Sequence, residues 1–159
     1  MISVAASAIG GLSAMQSQKK QRKLYEKELK QAPWAPPSWA FAPAWTINNF
    51  FLLNALRRIL SKEMPDKRKL LLLLAGIWFI FFTFNYVYFA KKSPILAAIW
   101  TKSDHLLAVA SIIVAFKRDK KTALNYLPLA AWTSFASFVA DYQALKNPDP
   151  VFHTKALLP

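Results

Sequence analysis

The chain has 159 residues, of which 55% are hydrophobic and 14% aromatic, and its formal net charge at pH 7 is +13. The apolar share exceeds the roughly 45–50% of soluble domains, so the composition favours a membrane protein. The basic residues form short clusters between long apolar runs, which argues against nucleic acid as a partner and for loops beside membrane lipids. The absence of cysteine excludes disulfides and thiolate metal sites, and two histidines argue against a protein-only metal centre.

Five apolar segments predict an all-α membrane protein, a bundle of five transmembrane helices that forms a single domain over residues 1–159. The third segment is the clearest span, because it carries no charge from Leu70 to Ala90 and its length suits a hydrocarbon core of about 30 Å. The predicted helices cover about 2–23, 39–60, 69–90, 94–116 and 122–145.

The other segments are less regular. The apolar part of the first, residues 2–15, would cover only about 21 Å, so this helix spans the core only if it continues to Lys23 and its lysines snorkel. The fourth is interrupted by the polar run Thr101-Lys-Ser-Asp-His105. The fifth contains Pro128, which removes a helical hydrogen bond and is expected to bend the helix.

The most informative stretch precedes the second helix and reads Trp34-Ala-Pro-Pro-Ser-Trp39-Ala-Phe41-Ala-Pro43-Ala-Trp45. It holds three Trp and three Pro in twelve residues. The Pro-Pro pair favours an extended backbone before it, and a helix can run freely only after Ser38. A stiff aromatic loop that leads into an apolar helix predicts a lid over an apolar pocket.

This stretch resembles the loop 1 to helix 2 signature of the TspO/MBR family, the translocator proteins or tryptophan-rich sensory proteins. The family pattern reads W-x-P-P-x-W-x-F-x-P-x-W, and every fixed position is met. Two further stretches are similar to the family: Asn85-Tyr-Val-Tyr88, with an Asn three residues before an aromatic, and the run from Pro128 through Trp132 to Ala136. The resemblance implies five transmembrane helices, a Trp/Pro-rich loop 1 that caps a ligand cavity, and a homodimer.

Residues on three helices would line that cavity. Helical spacing places Trp45 with Asn49, Asn85 with Tyr88, and Trp132 with its neighbours one turn on, each set on one face. The alternative is ordinary bundle packing, with Asn85 holding two helices together. The resemblance implies a ligand site formed by Trp34, Pro36, Pro37, Trp39, Trp45, Asn49, Asn85, Tyr88, Trp132, Phe135 and Ala136.

The chain departs from the family pattern at three places. An amide near the end of the fifth helix is replaced in Val139-Ala140, and the fourth helix carries about four extra residues before Asp104, the nearest match to the family's acidic residue. The loop reads Gln31-Ala-Pro-Trp34 where the family has K-P-x-W.

Three functions are compatible with this pattern. The resemblance implies binding, and transport, of a non-covalently held porphyrin such as protoporphyrin IX or haem. The second function is light-dependent porphyrin breakdown, in which Trp45 and Trp132 would stand against the macrocycle and the chemistry would come from the excited porphyrin. The third is a structural or regulatory membrane protein whose basic loops bind acidic lipids or a partner.

A weak sterol-contact pattern is formed by Val139, Tyr142 and Lys146. We therefore expect sterol as a lesser candidate ligand. The expected location is a multi-pass position in a bacterial membrane, given the short N-terminus and the weak sterol pattern, and the alternative is the mitochondrial outer membrane.

Overall fold

The computed structural model describes residues 24–158, in which helices are joined by turns and loops and one isolated β-bridge links Asp149 to Thr154. The helix predicted at 2–23 lies outside the described residues. A π-helical turn at Leu24–Glu28 and a 3-10 turn at Ser38–Ala40 precede the bundle, and a second π-helical turn, Tyr86–Ala90, extends helix α2. The α-helices are α1 (Phe41–Ser61), α2 (Lys67–Asn85), α3 (Pro94–Phe116), α4 (Lys120–Leu124) and α5 (Leu127–Lys146).

The four long helices pack around one apolar core, in which α3 lies between α2 and α5. Buried side chains from all four helices and from the turn before α5 meet there: Leu52, Ala55, Leu74, Ile77, Ala108, Tyr126 and Leu129. Because the connections are short, successive long helices run in opposite directions. The connections at 62–66 and 117–126 therefore lie at one end of the bundle, and the loop 24–40, the turn 91–93 and the segment 147–158 lie at the other.

Two helices in the described part of the chain are long and apolar enough to cross a membrane, Lys67–Ala90 and Pro94–Phe116. The second has 23 residues and is about 35 Å long, which exceeds a hydrocarbon core of about 30 Å. These two helices confirm the third and fourth apolar segments as candidate spans. By length and composition, both suit a position across a membrane.

The polar run at residues 101–105 interrupts only the apolar pattern, and α3 is continuous from Pro94 to Phe116. Thr101 donates to the carbonyl of Ala97 at 2.8 Å, which keeps its hydroxyl within the helix. Lys102 pairs with Asp141 of α5 at 2.6 Å, and Nδ1 of His105 lies 3.2 Å from a hydroxyl of α5. The side chains of Thr101, Lys102 and His105 therefore have partners within α3 or on α5.

Pro128 does not bend a helix, so the bend predicted there is wrong. It lies in the first turn of α5, where the missing backbone N–H has no helical acceptor in any case. The segment predicted as one helix at 122–145 is divided into α4, which ends at Leu124, and α5, which begins at Leu127. The buried Tyr126 lies at the junction.

Ion pairs connect the elements at the end of the bundle formed by 62–66 and 117–126. Asp119 accepts a hydrogen bond from the Thr122 hydroxyl at 2.6 Å and pairs with Arg58 at 2.8 Å and Lys62 at 3.1 Å. The hydrogen bond from Thr122, with the contributions of Arg58 and Lys62, outweighs partial burial and holds the pKa of Asp119 well below its ordinary value. This carboxylate therefore ties α1 to the turn before α4.

At the opposite end, Asp149 fixes the segment after α5 against the start of α3. Its Oδ2 accepts hydrogen bonds from the Ser93 hydroxyl at 2.6 Å and the Ile95 N–H at 2.9 Å. Its Oδ1 accepts from the N–H groups of Val151 and Phe152 at 2.8 and 3.1 Å. Burial alone would raise the pKa of Asp149, but these four hydrogen bonds stabilise the carboxylate and the pKa is lowered.

Candidate ligand-binding cavity

A cavity of about 50 Å³ lies between the four long helices. Aromatic and aliphatic side chains form most of its wall, and two hydroxyls and one carboxyl group complete it. The residues that line it are Phe41, Trp45, Ile80, Phe81, Phe84, Thr101, Asp104, Trp132, Thr133 and Ala136. All four long helices contribute, so the cavity depends on the assembled bundle.

The aromatic rings of the wall hold one another in place. Phe41 meets Trp132 edge to face, with centroids 5.7 Å apart, and Trp45 lies 5.0 Å from Phe81. Such pairs are stabilising beyond their buried area and fix the ring planes. Ala136 lies one helical turn after Trp132 and lines the cavity beside it, so its small side chain leaves space next to the indole. The result is an apolar wall of packed rings, a surface that suits flat ring systems.

The polar part of the wall comes from α3 and α5. Asp104 is 2% exposed, and its Oδ1 has no hydrogen-bond partner within the described part of the chain. Thr101 and Thr133 each donate their hydroxyl hydrogen to a carbonyl of their own helix, at 2.8 and 2.7 Å. The oxygens at this side of the cavity are therefore left as hydrogen-bond acceptors.

The loop that precedes α1 reaches the cavity wall through Tyr25. The Tyr25 ring meets Phe41 edge to face at 5.3 Å, and its hydroxyl donates to the carbonyl of Pro36 at 2.8 Å. Burial, reinforced by neighbouring Glu26, raises the pKa of Tyr25 to about 12, so the hydroxyl stays protonated and able to donate. Tyr25 thus joins both ends of the loop to the aromatic wall.

Further hydrogen bonds fix the middle of the loop to α5. Gln143 donates to Oε1 of Gln31 at 2.6 Å and accepts from the Tyr88 hydroxyl at 2.8 Å. Asn147 exchanges two hydrogen bonds with the backbone of Lys30, at 2.7 and 3.1 Å. These contacts hold the loop 24–40 across the end of the helices, where a lid would have to be.

The residues expected at the site fall into three groups. Trp45, Trp132 and Ala136 line the cavity. Asn49 and Tyr88 are buried, and Asn85 is half-buried, but none of the three is part of the cavity wall. Exposed or partly exposed, and also outside the wall, are Trp34 (53% exposed), Pro36, Pro37, Trp39 (67%) and Phe135 (38%).

The residues of the sterol-contact pattern do not form one lipid-facing strip. Val139 is buried inside the bundle. The ring of Tyr142 meets Trp34 of the loop edge to face, with centroids 5.6 Å apart. Tyr142 therefore takes part in holding the loop, and Lys146 lies in the last turn of the same helix.

Sequence reasoning missed several residues of the cavity and of its loop. Phe84 and Ile80 were hidden in a helix that is apolar on every side, where periodicity gives no signal. Gln31 and Gln143 lie 112 residues apart, and no local pattern connects them. Their polarity could have indicated a contact, because an amide side chain within or beside an apolar segment needs a hydrogen-bond partner.

The Trp/Pro loop, the helical bundle and the aromatic cavity agree with one comparison. A family model described as the TspO/MBR family matches residues 1–144. The chain belongs to the TspO/MBR family. This is a family of membrane proteins that is associated in general with tetrapyrrole binding. A search of curated proteins finds no match to the chain.

Proposed function

We propose that this TspO/MBR protein binds a tetrapyrrole such as protoporphyrin IX in the cavity between α1, α2, α3 and α5. The observation that carries the proposal is the wall itself, in which Trp45, Phe81 and Trp132 face one space at contact distance from further rings. Aromatic walls bind flat apolar ring systems by stacking and burial. Family membership supports the same ligand class.

The size of the cavity requires a conformational step. Its volume of about 50 Å³ is far below the roughly 300–1,000 Å³ of pockets that hold drug-sized ligands. A porphyrin therefore enters only if the loop 24–40 moves away and the rings separate. The loop is attached mainly by side-chain hydrogen bonds to α5, and its release would control exchange of the ligand, as lids do at other sites.

Quenching of tryptophan fluorescence by protoporphyrin IX tests this proposal. We expect saturable quenching of the wild-type protein in detergent, in the dark. Trp132→Phe removes an indole from the wall and should raise the Kd about three- to tenfold, the scale of one aromatic contact. The matched control is Trp78→Phe, because Trp78 lies on α2, is half-buried and does not line the cavity. Unsaturable quenching, or equal effects of the two variants, would contradict the proposal.

A second function is favoured by the pair Trp45 and Trp132. Both indoles line the cavity, so a bound porphyrin would touch two residues able to supply electrons to its excited state. Light- and oxygen-dependent porphyrin breakdown would then yield a new absorbance spectrum under illumination. We expect Trp45→Phe and Trp132→Phe to suppress that product more strongly than they weaken binding. Products that form equally in both variants would rule out this role for the indoles.

We propose a multi-pass protein with five membrane spans. Two of them are the helices that are long and apolar enough to cross a membrane, and the segment 2–23, α1 and α5 would be the other three. We propose a homodimer, with transport of the ligand as the outcome of loop opening. The proposed location is a bacterial membrane, with the mitochondrial outer membrane as the alternative. Sterol remains a lesser candidate ligand, since Val139 is buried.

A further inference from the structure

Asp104 lines the cavity with a buried carboxyl group, and the proposed stacking of a flat ring against the aromatic wall does not involve this group. It lies ten residues after Pro94, about 15 Å along α3 and so near the middle of a membrane span. Its side chain is buried, and Oδ1 has no hydrogen-bond partner within residues 24–158. An acid at this depth is costly, and in membrane proteins such groups mark ligand or ion sites.

The surroundings of Asp104 are short of donors. The Thr101 hydroxyl donates to Ala97, and the Thr133 hydroxyl donates to Leu129, so both hydrogens are already in use. Nδ1 of His105 lies 3.2 Å from the Thr133 oxygen. With the Thr133 hydroxyl donating to the Leu129 carbonyl, the contact is satisfied by the His105 tautomer that carries its proton on Nδ1. Neither threonine hydroxyl therefore offers a hydrogen to Asp104.

We propose that Asp104 is the buried acceptor for an N–H group of the ligand and that it selects N–H-bearing aromatic rings for this cavity. The carboxyl group keeps an accepting oxygen whether or not it is protonated. A ligand N–H would find an acceptor in the carboxyl group in either protonation state, whereas a ring oxygen or a ligand carboxylate at the same place would find a donor only when the carboxyl group is protonated. The inference rests on the proposed function in that the cavity must open for a flat ring.

The same chemistry orients a tetrapyrrole. Its pyrrole N–H groups face the centre of the macrocycle, so Asp104 would accept from them at one face of the ring, and the acidic substituents at the ring edge would point toward the loop 24–40. That end of the bundle carries lysines, among them Lys91 and Lys92, and has access to water. Charge therefore favours one orientation of the ligand.

A matched pair of probes tests the selection. Carbazole and dibenzofuran are flat tricyclic compounds of nearly equal size, and carbazole has a ring N–H where dibenzofuran has a ring oxygen. The affinities are measured by calorimetric titration in detergent. For wild-type protein we expect the Kd of carbazole to be about tenfold or more below the Kd of dibenzofuran, because the ring oxygen of dibenzofuran leaves Oδ1 of Asp104 unsatisfied. Asp104→Leu should remove this ratio, and Asp104→Asn should retain part of it.

The control is Asp141→Leu, which removes a half-buried acid that pairs with Lys102 and does not line the cavity. This variant should keep the wild-type ratio. Equal affinities of wild-type protein for the two probes, no binding of carbazole, or a ratio that survives in Asp104→Leu would overturn the inference.

Protoporphyrin quenching in the same samples separates the two proposals. Saturable quenching with equal probe affinities would overturn the role of Asp104 alone. Carbazole selection that depends on Asp104, without saturable quenching by the porphyrin, would overturn the tetrapyrrole function and leave the N–H site standing.

Discussion

Gln143 in the last turns of α5 donates a 2.6 Å hydrogen bond to the side chain of Gln31 in the loop before α1. The side-chain oxygen of Gln143 accepts a second hydrogen bond, from the Tyr88 hydroxyl at 2.8 Å. Burial raises the energetic cost of breaking these bonds, since Gln143 is 3% exposed. One amide therefore joins the loop, α5 and the turn that follows α2.

Gln143→Ala is expected to loosen the loop without unfolding the bundle. It removes one side-chain contact to the loop, and a net hydrogen bond of about 1 kcal/mol corresponds to a roughly fivefold rise in opening. Hydrogen exchange at 29–36 should accelerate by about that factor, while exchange in α3 is unchanged. The matched control is Ser137→Ala, which removes a hydrogen bond within α5 that does not involve the loop. Equal exchange in both variants would contradict the role of Gln143.

Asp104→Leu is expected to stabilise the protein. The native carboxyl group is buried and leaves Oδ1 unsatisfied, and an unsatisfied buried group costs about 1–3 kcal/mol. An apolar side chain of similar size in the same place avoids that cost. Thermal unfolding in detergent should show a higher Tm for the variant. A lower Tm would mean that Asp104 has a structural partner, and the argument for a ligand-directed role would fail.

Asp149→Asn is expected to have the opposite effect, because this carboxylate accepts four hydrogen bonds. An amide NH₂ facing the donors of Ser93 or Ile95 would cost about 2 kcal/mol at pH 7. The measurement is thermal unfolding of both proteins at pH 7. An unchanged Tm would show that the segment 147–158 does not support the bundle.

The effect of Asp149 should also depend on pH in a defined direction. Its folded-state pKa is lowered, so its contribution is fully present above the unfolded value of about 4 and is lost as the pH falls through the folded value. The difference in Tm between wild type and Asp149→Asn should therefore be constant from pH 7 to 5 and shrink below about pH 4. A difference that grows on acidification would contradict this sign.

The local features of the fold could be predicted from the sequence where composition alone decides them. The family follows from the Trp and Pro positions between Trp34 and Trp45, and the family model confirms it. The uncharged run at 70–90 and the segment 94–116 are confirmed as helices able to span a membrane. The polar residues 101–105 interrupt the apolar pattern but lie within the continuous helix α3, where Lys102 and His105 find partners on α5.

Features that depend on packing between distant parts of the chain could not be predicted from local sequence patterns. Pro128 lies in the first turn of a new helix because the chain turns at Tyr126, and no residue spacing reveals that turn. Whether Phe84 lines the cavity depends on the rotation of α2 about its own axis relative to the neighbouring helices. A helix that is apolar on every side has no periodic pattern from which this rotation can be predicted. The attachment of the loop through Gln31 and Gln143 depends on a contact between distant parts of the chain.

The most direct test of the central claim is equilibrium binding of protoporphyrin IX, followed by the porphyrin's own absorbance, to wild-type protein, Ala136→Leu and Ala131→Leu in lipid nanodiscs. Ala136 lines the cavity, whereas Ala131 is an exposed residue of the same helix. We predict saturable binding by wild type and Ala131→Leu and at least a tenfold loss in Ala136→Leu, because the larger side chain fills the space beside Trp132. Unchanged binding in Ala136→Leu would contradict the claim that this cavity holds the ligand.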